Sequence, residues 1–151
     1  MEKYDWSRLT PLQIGRFAEY YVKMEFTLYG FDVYQAEVDD KGIDFIIRKE
    51  HDRYYDIQVK SALKSKYIFF FKQHFIPREN LLAAIAVFVP FKMHELFLIP
   101  LLVWQNPNTL FVSRDYASPN LKSRPEWGVS LSRKNYDLLA HYQFEKQVII
   151  L

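Results

Sequence analysis

The sequence predicts an α/β fold, a mixed sheet flanked by helices. Three observations lead there. One amphipathic helix opens the chain, three short strand patterns follow it between residues 31 and 60, and further strands lead to a second helix near the C-terminus.

The first helix is expected over residues 11–29. Thr10 can cap it, and Pro11 is tolerated at its first position, where the missing N–H has no partner to lose. Apolar residues recur at Ile14, Phe17, Ala18, Tyr21, Val22, Leu28 and Tyr29, one buried helical stripe, and Gly30 stands where a terminating glycine belongs. Phe31–Ala36, Ile43–Arg48 and Arg53–Lys60 read as strands, the last two joined as a hairpin by the 49–52 turn. Tyr67–Phe71 is a further aromatic strand. A short helical turn is expected at Pro77–Leu82, then strands at Ala83–Val89 and Glu95–Ile99 around the Pro90–His94 turn. Pro107, Pro119 and Pro125 punctuate an irregular region with one strand, Leu110–Ser113, before a final helix from a Ser132 cap to about Tyr142.

With 151 residues, half of them hydrophobic, the chain reads as one domain, 1–151, able to bury a core. It has no cysteine, which removes disulfides, thiolate zinc sites and a cysteine nucleophile. The N-terminus has no signal-like apolar stretch, and the longest apolar run, 81–90, is too short to span a bilayer, so a soluble, cytoplasmic chain is expected. No Walker A loop, Gly-x-Gly-x-x-Gly or Gly-x-Ser-x-Gly motif is present, and His51, His74, His94 and His141 lack metal-ligand spacing.

Charge is segregated. Residues 1–59 hold 8 Lys/Arg against 12 Asp/Glu, and residues 60–151 hold 12 against 6. Lys60, Lys64, Lys66, Lys72 and Arg78 follow one another with no acid between them. An acidic half beside a basic half suits a metal site next to a phosphate-binding surface, so Lys64, Lys66, Lys72 and Arg78 are the candidate DNA contacts. The competing reading is that these lysines protect an edge strand from aggregation. The many aromatic residues could stack on bases, but core packing accounts for them more simply.

The chemistry-bearing set is Glu19, Asp44, Gln58 and Lys60. Along the third strand Asp56, Gln58 and Lys60 share one face while Tyr55, Ile57 and Val59 take the other. Hairpin pairing brings Asp44 near Gln58 and Lys60, and Glu19 flanks the apolar stripe of the first helix. Two carboxylates and an amide oxygen are hard donors of the kind Mg²⁺ or Mn²⁺ prefers, and a lysine beside them stabilises charge at a phosphate under attack.

Gly15-Arg-Phe-Ala-Glu19-Tyr-Tyr-Val22, Gly30-Phe-Asp-Val33, Gly42-Ile-Asp44-Phe45 and Ile57-Gln-Val-Lys60-Ser61, in this order and spacing, resemble the PD-(D/E)XK nuclease superfamily. The similarity is to small members such as archaeal Holliday-junction resolvases and the homing endonuclease of this type, and it covers residues 14–61. It implies a restriction-endonuclease-like αβββαβ core, a divalent cation (Mg²⁺ or Mn²⁺), and DNA as substrate. It also implies metal ligation by Glu19, Asp44 and Gln58, with Lys60 as the motif lysine. Gln58 departs from the usual Asp or Glu: its amide oxygen can still bind metal, but one negative charge is lost. Asp39, Asp40 or Asp56 are candidates to restore it.

The expected function is therefore metal-dependent DNA endonuclease. The alternative is a nuclease-fold module that has lost catalysis and binds nucleic acid or assembles with partner proteins. A homodimer or homotetramer is expected, because cutting both strands with one site per chain calls for two chains. The segments Tyr67–Phe71, Leu81–Phe91 and Leu96–Trp104 also carry more large apolar side chains than one small sheet would be expected to bury.

Overall fold

The computed structural model describes residues 2–35, 37, 41–120 and 122–151. Helix α1 spans Pro11–Leu28 and begins with a capping box. The Thr10 hydroxyl accepts from the Gln13 N–H, and the Gln13 amide oxygen accepts from the Thr10 N–H. That reciprocal pair stabilises the helix start by about 1 kcal/mol. Gly30, at φ +82°, ends the helix in the left-handed conformation only glycine adopts freely.

Five strands form the main sheet: β1 (Asp32–Gln35), β2 (Phe45–Lys49), β3 (Arg53–Leu63), β5 (Leu81–Phe88) and β6 (Glu95–Pro100). Their order is β1-β2-β3-β5-β6, antiparallel except for the parallel β3–β5 pair, in which Lys60 faces Ile85. A second sheet of three strands, β4 (Tyr67–Phe71), β7 (Phe111–Arg114) and β8 (Glu126–Ser130), is antiparallel in the order β4-β8-β7. This is the mixed α/β arrangement of the restriction-endonuclease-like fold.

Alternation along β5 explains the layering. Leu82, Ala84, Ala86 and Phe88 turn to one face, where they meet Ile14, Ala18, Val22 and Phe26 of α1 and Phe144 and Val148 of the short C-terminal helix α3 (Phe144–Val148). Leu81, Ala83 and Ile85 turn to the other, where they meet Ile68, Phe70, Trp104, Phe111 and Val129. Burying each of the larger side chains, Leu, Ile, Val or Phe, contributes about 1.5–3 kcal/mol, so a strand dry on both sides is fixed in place by both layers.

Two expectations need correction. Residues 77–82 form no helix: Leu81 and Leu82 are fully buried on opposite faces, which a strand satisfies and a helical turn does not. The β3-to-β5 crossover is made by β4 and the 72–80 segment. The helix expected from Ser132 to about Tyr142 holds only one α-helical turn, α2 (Tyr136–Leu139), between two 3₁₀ turns: the Ser132 side chain makes no capping bond, and Gln143, at ψ 137° and bridged to Phe97, separates this segment from α3. Most of the apolar surface weighed for an oligomer packs within the chain. Residues 81–88 are the central strand, and the side chains of 96–104 divide between the two cores, Leu96 and Leu98 toward α1 and Phe97, Ile99, Leu101 and Trp104 toward the second sheet; of 67–71 only Phe69 is exposed, and Phe91, after β5, is exposed as well. No helix among the described residues is long and apolar enough to cross a membrane.

Candidate active site

The site is assembled on β3. Side chains alternate there, so Ile57 and Val59 enter the α1-side core while Gln58, Lys60 and Ala62 turn to the opposite face. Asp44 immediately precedes β2. Its N–H donates to the Ile57 carbonyl (2.9 Å), extending the ladder by one residue, and its Oδ2 accepts from the Val59 N–H (2.6 Å). Asp44 is thus docked onto β3 between the Gln58 and Lys60 positions, as hairpin pairing predicts.

Gln58 is 8% exposed. Its Nε2 donates to the Val59 carbonyl (3.1 Å), and its Oε1 is buried with no hydrogen-bond partner among the described residues. An unpaired buried acceptor ordinarily costs about 1–3 kcal/mol, so its persistence calls for a reason. Gly42, at φ +72°, lies beside it: a Cβ there would stand 3.6 Å from Gln58 Oε1 and 2.7 Å from the Phe75 ring. Phe75 covers this corner, held from outside by the Trp127 Nε1 donating to its carbonyl (2.8 Å). Lys60 is half-buried, with its ammonium 5.6 Å from the centre of the Phe70 ring. A lysine near an aromatic face is positioned by that face without being neutralised by it.

Glu19 sits on α1 beside the buried stripe, and its carboxylate pairs with Arg16 one turn away (2.8 Å), not with the hairpin. The structure therefore brings Asp44 directly onto the Gln58–Lys60 strand and leaves Glu19 in a helix-internal ion pair. Asp56 is ion-paired with Arg78. Asp39 and Asp40 lie outside the described residues.

The donor set suits a hard cation in kind. Gln58 offers an orphaned amide oxygen, fixed in orientation by its own Nε2 bond, and Asp44 offers a carboxylate on the same strand pair. The set is short of charge: no group of three His, Asp or Glu able to hold a metal occurs among the described residues.

The basic segment separates into two kinds of residue. Lys64 and Lys66 are exposed on the β3–β4 turn. Lys72 is occupied, bonded to Asp115 Oδ1 (2.6 Å) and Ser113 Oγ (2.7 Å) and stacked 4.0 Å from the Trp127 ring centre. Arg78 is occupied by Asp56. Run-length in the sequence could not separate these pairs, because Asp115 and Ser113 lie far along the chain. Phe75 and Trp127, which close the Gln58 corner, were not identified from sequence either, where they carry only a core signal.

No family model and no curated protein matches this chain. Among solved structures it is similar to the 1.6 Å structure of Archaeoglobus fulgidus Hjc, a Holliday junction resolvase from an archaeal hyperthermophile. The likeness has a TM-score of 0.54 at 13% identity and covers 89% of this chain and 94% of that one, so the two share a fold across nearly their full lengths.

Proposed function

We propose that this chain is a metal-dependent DNA endonuclease of the PD-(D/E)XK kind. The observation that carries the reading is the unpartnered Gln58 Oε1, buried at the motif position of a strand onto which the Asp44 carboxylate is docked. The resolvase-like fold supports it, as do the order and spacing of Glu19, Asp44, Gln58 and Lys60.

Asp44 and the Gln58 amide oxygen would hold the cation, Mg²⁺ or Mn²⁺, with Glu19 reaching it after release from Arg16. When bound, that ion supplies Lewis acidity toward a phosphate oxygen and a nucleophilic water at neutral pH. Lys60 stabilises negative charge gathering on the phosphate oxygens, while Phe70 restrains its ammonium. Lys64 and Lys66, exposed beside the strand, contact the DNA backbone; Lys72 and Arg78 contribute only if their acidic partners let go.

A second reading is a nuclease-fold module without catalysis. Phe75 over Gly42, and the charge missing at Gln58, favour it. Incubating purified protein with Mn²⁺ and linear, supercoiled or branched DNA tests the first reading. Metal-dependent cutting supports it, and salt-sensitive binding without any cutting supports the second, since phosphate contacts release counterions. Cutting both strands calls for two chains, so a homodimer is part of this proposal.

A further inference from the structure

On the α1 side of the sheet, remote in sequence from Gln58 and Lys60, lies a cavity of about 320 Å³. Three elements wall it: the C-terminal half of α1 and its cap (Tyr21, Glu25, Tyr29), the entry to β6 (His94, Glu95) and the first turn of α3 (Glu145), with Phe97 and Phe144 also lining it. No lysine or arginine lines it. The last turn of α1 carries no basic residue either, so the negative end of an 18-residue helix goes without a cation from its own sequence.

His94 is the second observation. It is 7% exposed, and neither ring nitrogen has a hydrogen-bond partner among the described residues. Aromatic rings surround it: Tyr21 perpendicular at 4.1 Å, Phe88 stacked at 5.2 Å, Phe17 at 5.4 Å and Trp6 at 5.9 Å. If the position needed only an aromatic filler, phenylalanine would pack there without stranding two polar atoms. His94 stands between this cavity and a second, of about 380 Å³, lined by Lys3, Tyr4, Trp6, Phe17, Tyr21 and Met93. Burial lowers its pKa, so it presents a neutral ring with one acceptor nitrogen.

We propose that the cavity binds a small organic cation, an alkylammonium or guanidinium group. Glu25, Glu95 and Glu145 supply the counter-charge, His94 accepts an N–H from the ligand, and Tyr21 and Tyr29 offer ring faces to the cation and its alkyl stem. Glu95 already accepts the Tyr136 hydroxyl (3.0 Å to each oxygen) and keeps lone pairs for a second donor. The size suits a ligand of a few carbons, and aromatic faces beside carboxylates are the surroundings such cations select. Both His94 nitrogens are closed to solvent, so a ligand reaches them as the surrounding rings, Tyr21 nearest at 4.1 Å, give way.

The ligand has two sources, a free diamine or a lysine or arginine side chain of a partner. Nitrogen-15 spectra of the histidine rings of the full chain distinguish them, with putrescine, Nα-acetyl-lysine methylamide and Nα-acetyl-arginine methylamide titrated separately at constant ionic strength. We expect a saturable shift of the His94 signals, assigned by their loss in His94→Phe, and binding about tenfold weaker in Glu25→Gln, the effect of one charge-assisted hydrogen bond. Tightest binding of putrescine assigns a free diamine, and tightest binding of either amide assigns a partner's side chain. His94→Phe keeps the ring packing, so it should fold, and calorimetric titration with the same probes should show weak binding. The proposal is overturned if none of the three probes gives a saturable response, or if Glu25→Gln, read from the His94 signals, or His94→Phe, read by calorimetry, binds as well as the unchanged protein.

Discussion

The Asp44 carboxylate accepts a hydrogen bond from the Val59 backbone N–H at 2.6 Å, fixing the entry of β2 to the middle of β3, between the side chains of Gln58 and Lys60. One residue therefore has a structural and a proposed chemical role, and the two separate by substitution. Asp44→Asn keeps an oxygen that can accept the Val59 N–H and removes the charge. It should unfold within about 1 kcal/mol of the unchanged protein yet cut no DNA. Asp44→Ala leaves the N–H unpaired and should cost about 1–3 kcal/mol as well. Chemical denaturation and a cleavage assay on both variants check this; cutting by folded Asp44→Asn at near the original rate would count against Asp44 as a ligand.

Gln58→Glu should have opposite effects with and without metal. A carboxylate at an 8% exposed position with no partner is costly, so the metal-free protein should lose stability. With Mg²⁺ or Mn²⁺ the added charge should tighten binding by about tenfold or more, as ligand charge does in oxygen-donor sites. Calorimetric titration and melting curves with and without Mn²⁺ measure both. Unchanged or weaker metal binding would remove Gln58 from the ligand set.

Lys60→Met preserves the stem that packs near Phe70 and removes the ammonium. Cleavage should fall by about 10²–10³, the usual cost of losing one electrostatic stabiliser, with metal affinity little changed. A rate within about twofold of the original in the folded variant would show that Lys60 takes no part.

Gly42→Ala meets two obstacles together, a left-handed backbone and a Cβ 2.7 Å from the Phe75 ring. Destabilisation of about 1–3 kcal/mol is expected from strain and overpacking. Phe75→Leu in the same background should recover part of it, because a smaller side chain yields the space. If the double variant is no more stable than Gly42→Ala, the Phe75 contact is not the cause.

His94 gives a pH signature. Burial lowers its pKa in the folded chain below the ordinary 6.5, so below that value the unfolded chain binds the extra proton more readily. The neutral ring is favoured by folding, and its contribution is complete above pH 6.5 and is lost as pH falls from there toward the depressed folded value. Stability measured by denaturant titration between pH 5 and 8 should decline toward the acid side, and His94→Phe should flatten that part of the decline. An unchanged slope in the variant would assign the decline to other groups.

Light scattering at micromolar concentration tests the proposed dimer: the chain is 18.2 kDa, and a mass of one chain under cleavage conditions would contradict it.

Local chemistry by itself determined α1, down to its Thr10 cap and Gly30 stop, together with the β2–β3 hairpin and the approach of Asp44 to Gln58 and Lys60. Each depends on residues close in sequence, through a 3.6-residue or two-residue period and a short turn. Only the tertiary structure decided that β4 leaves the main sheet to pair with Glu126–Ser130, that Lys72 and Arg78 are occupied by Asp115 and Asp56, and that Phe75 closes over Gly42. These are contacts between segments that local periodicity treats as independent. The burial of Leu81 and Leu82 on opposite faces has the same origin: a short apolar run looks alike in a helix and a strand until the layers above and below it are in place.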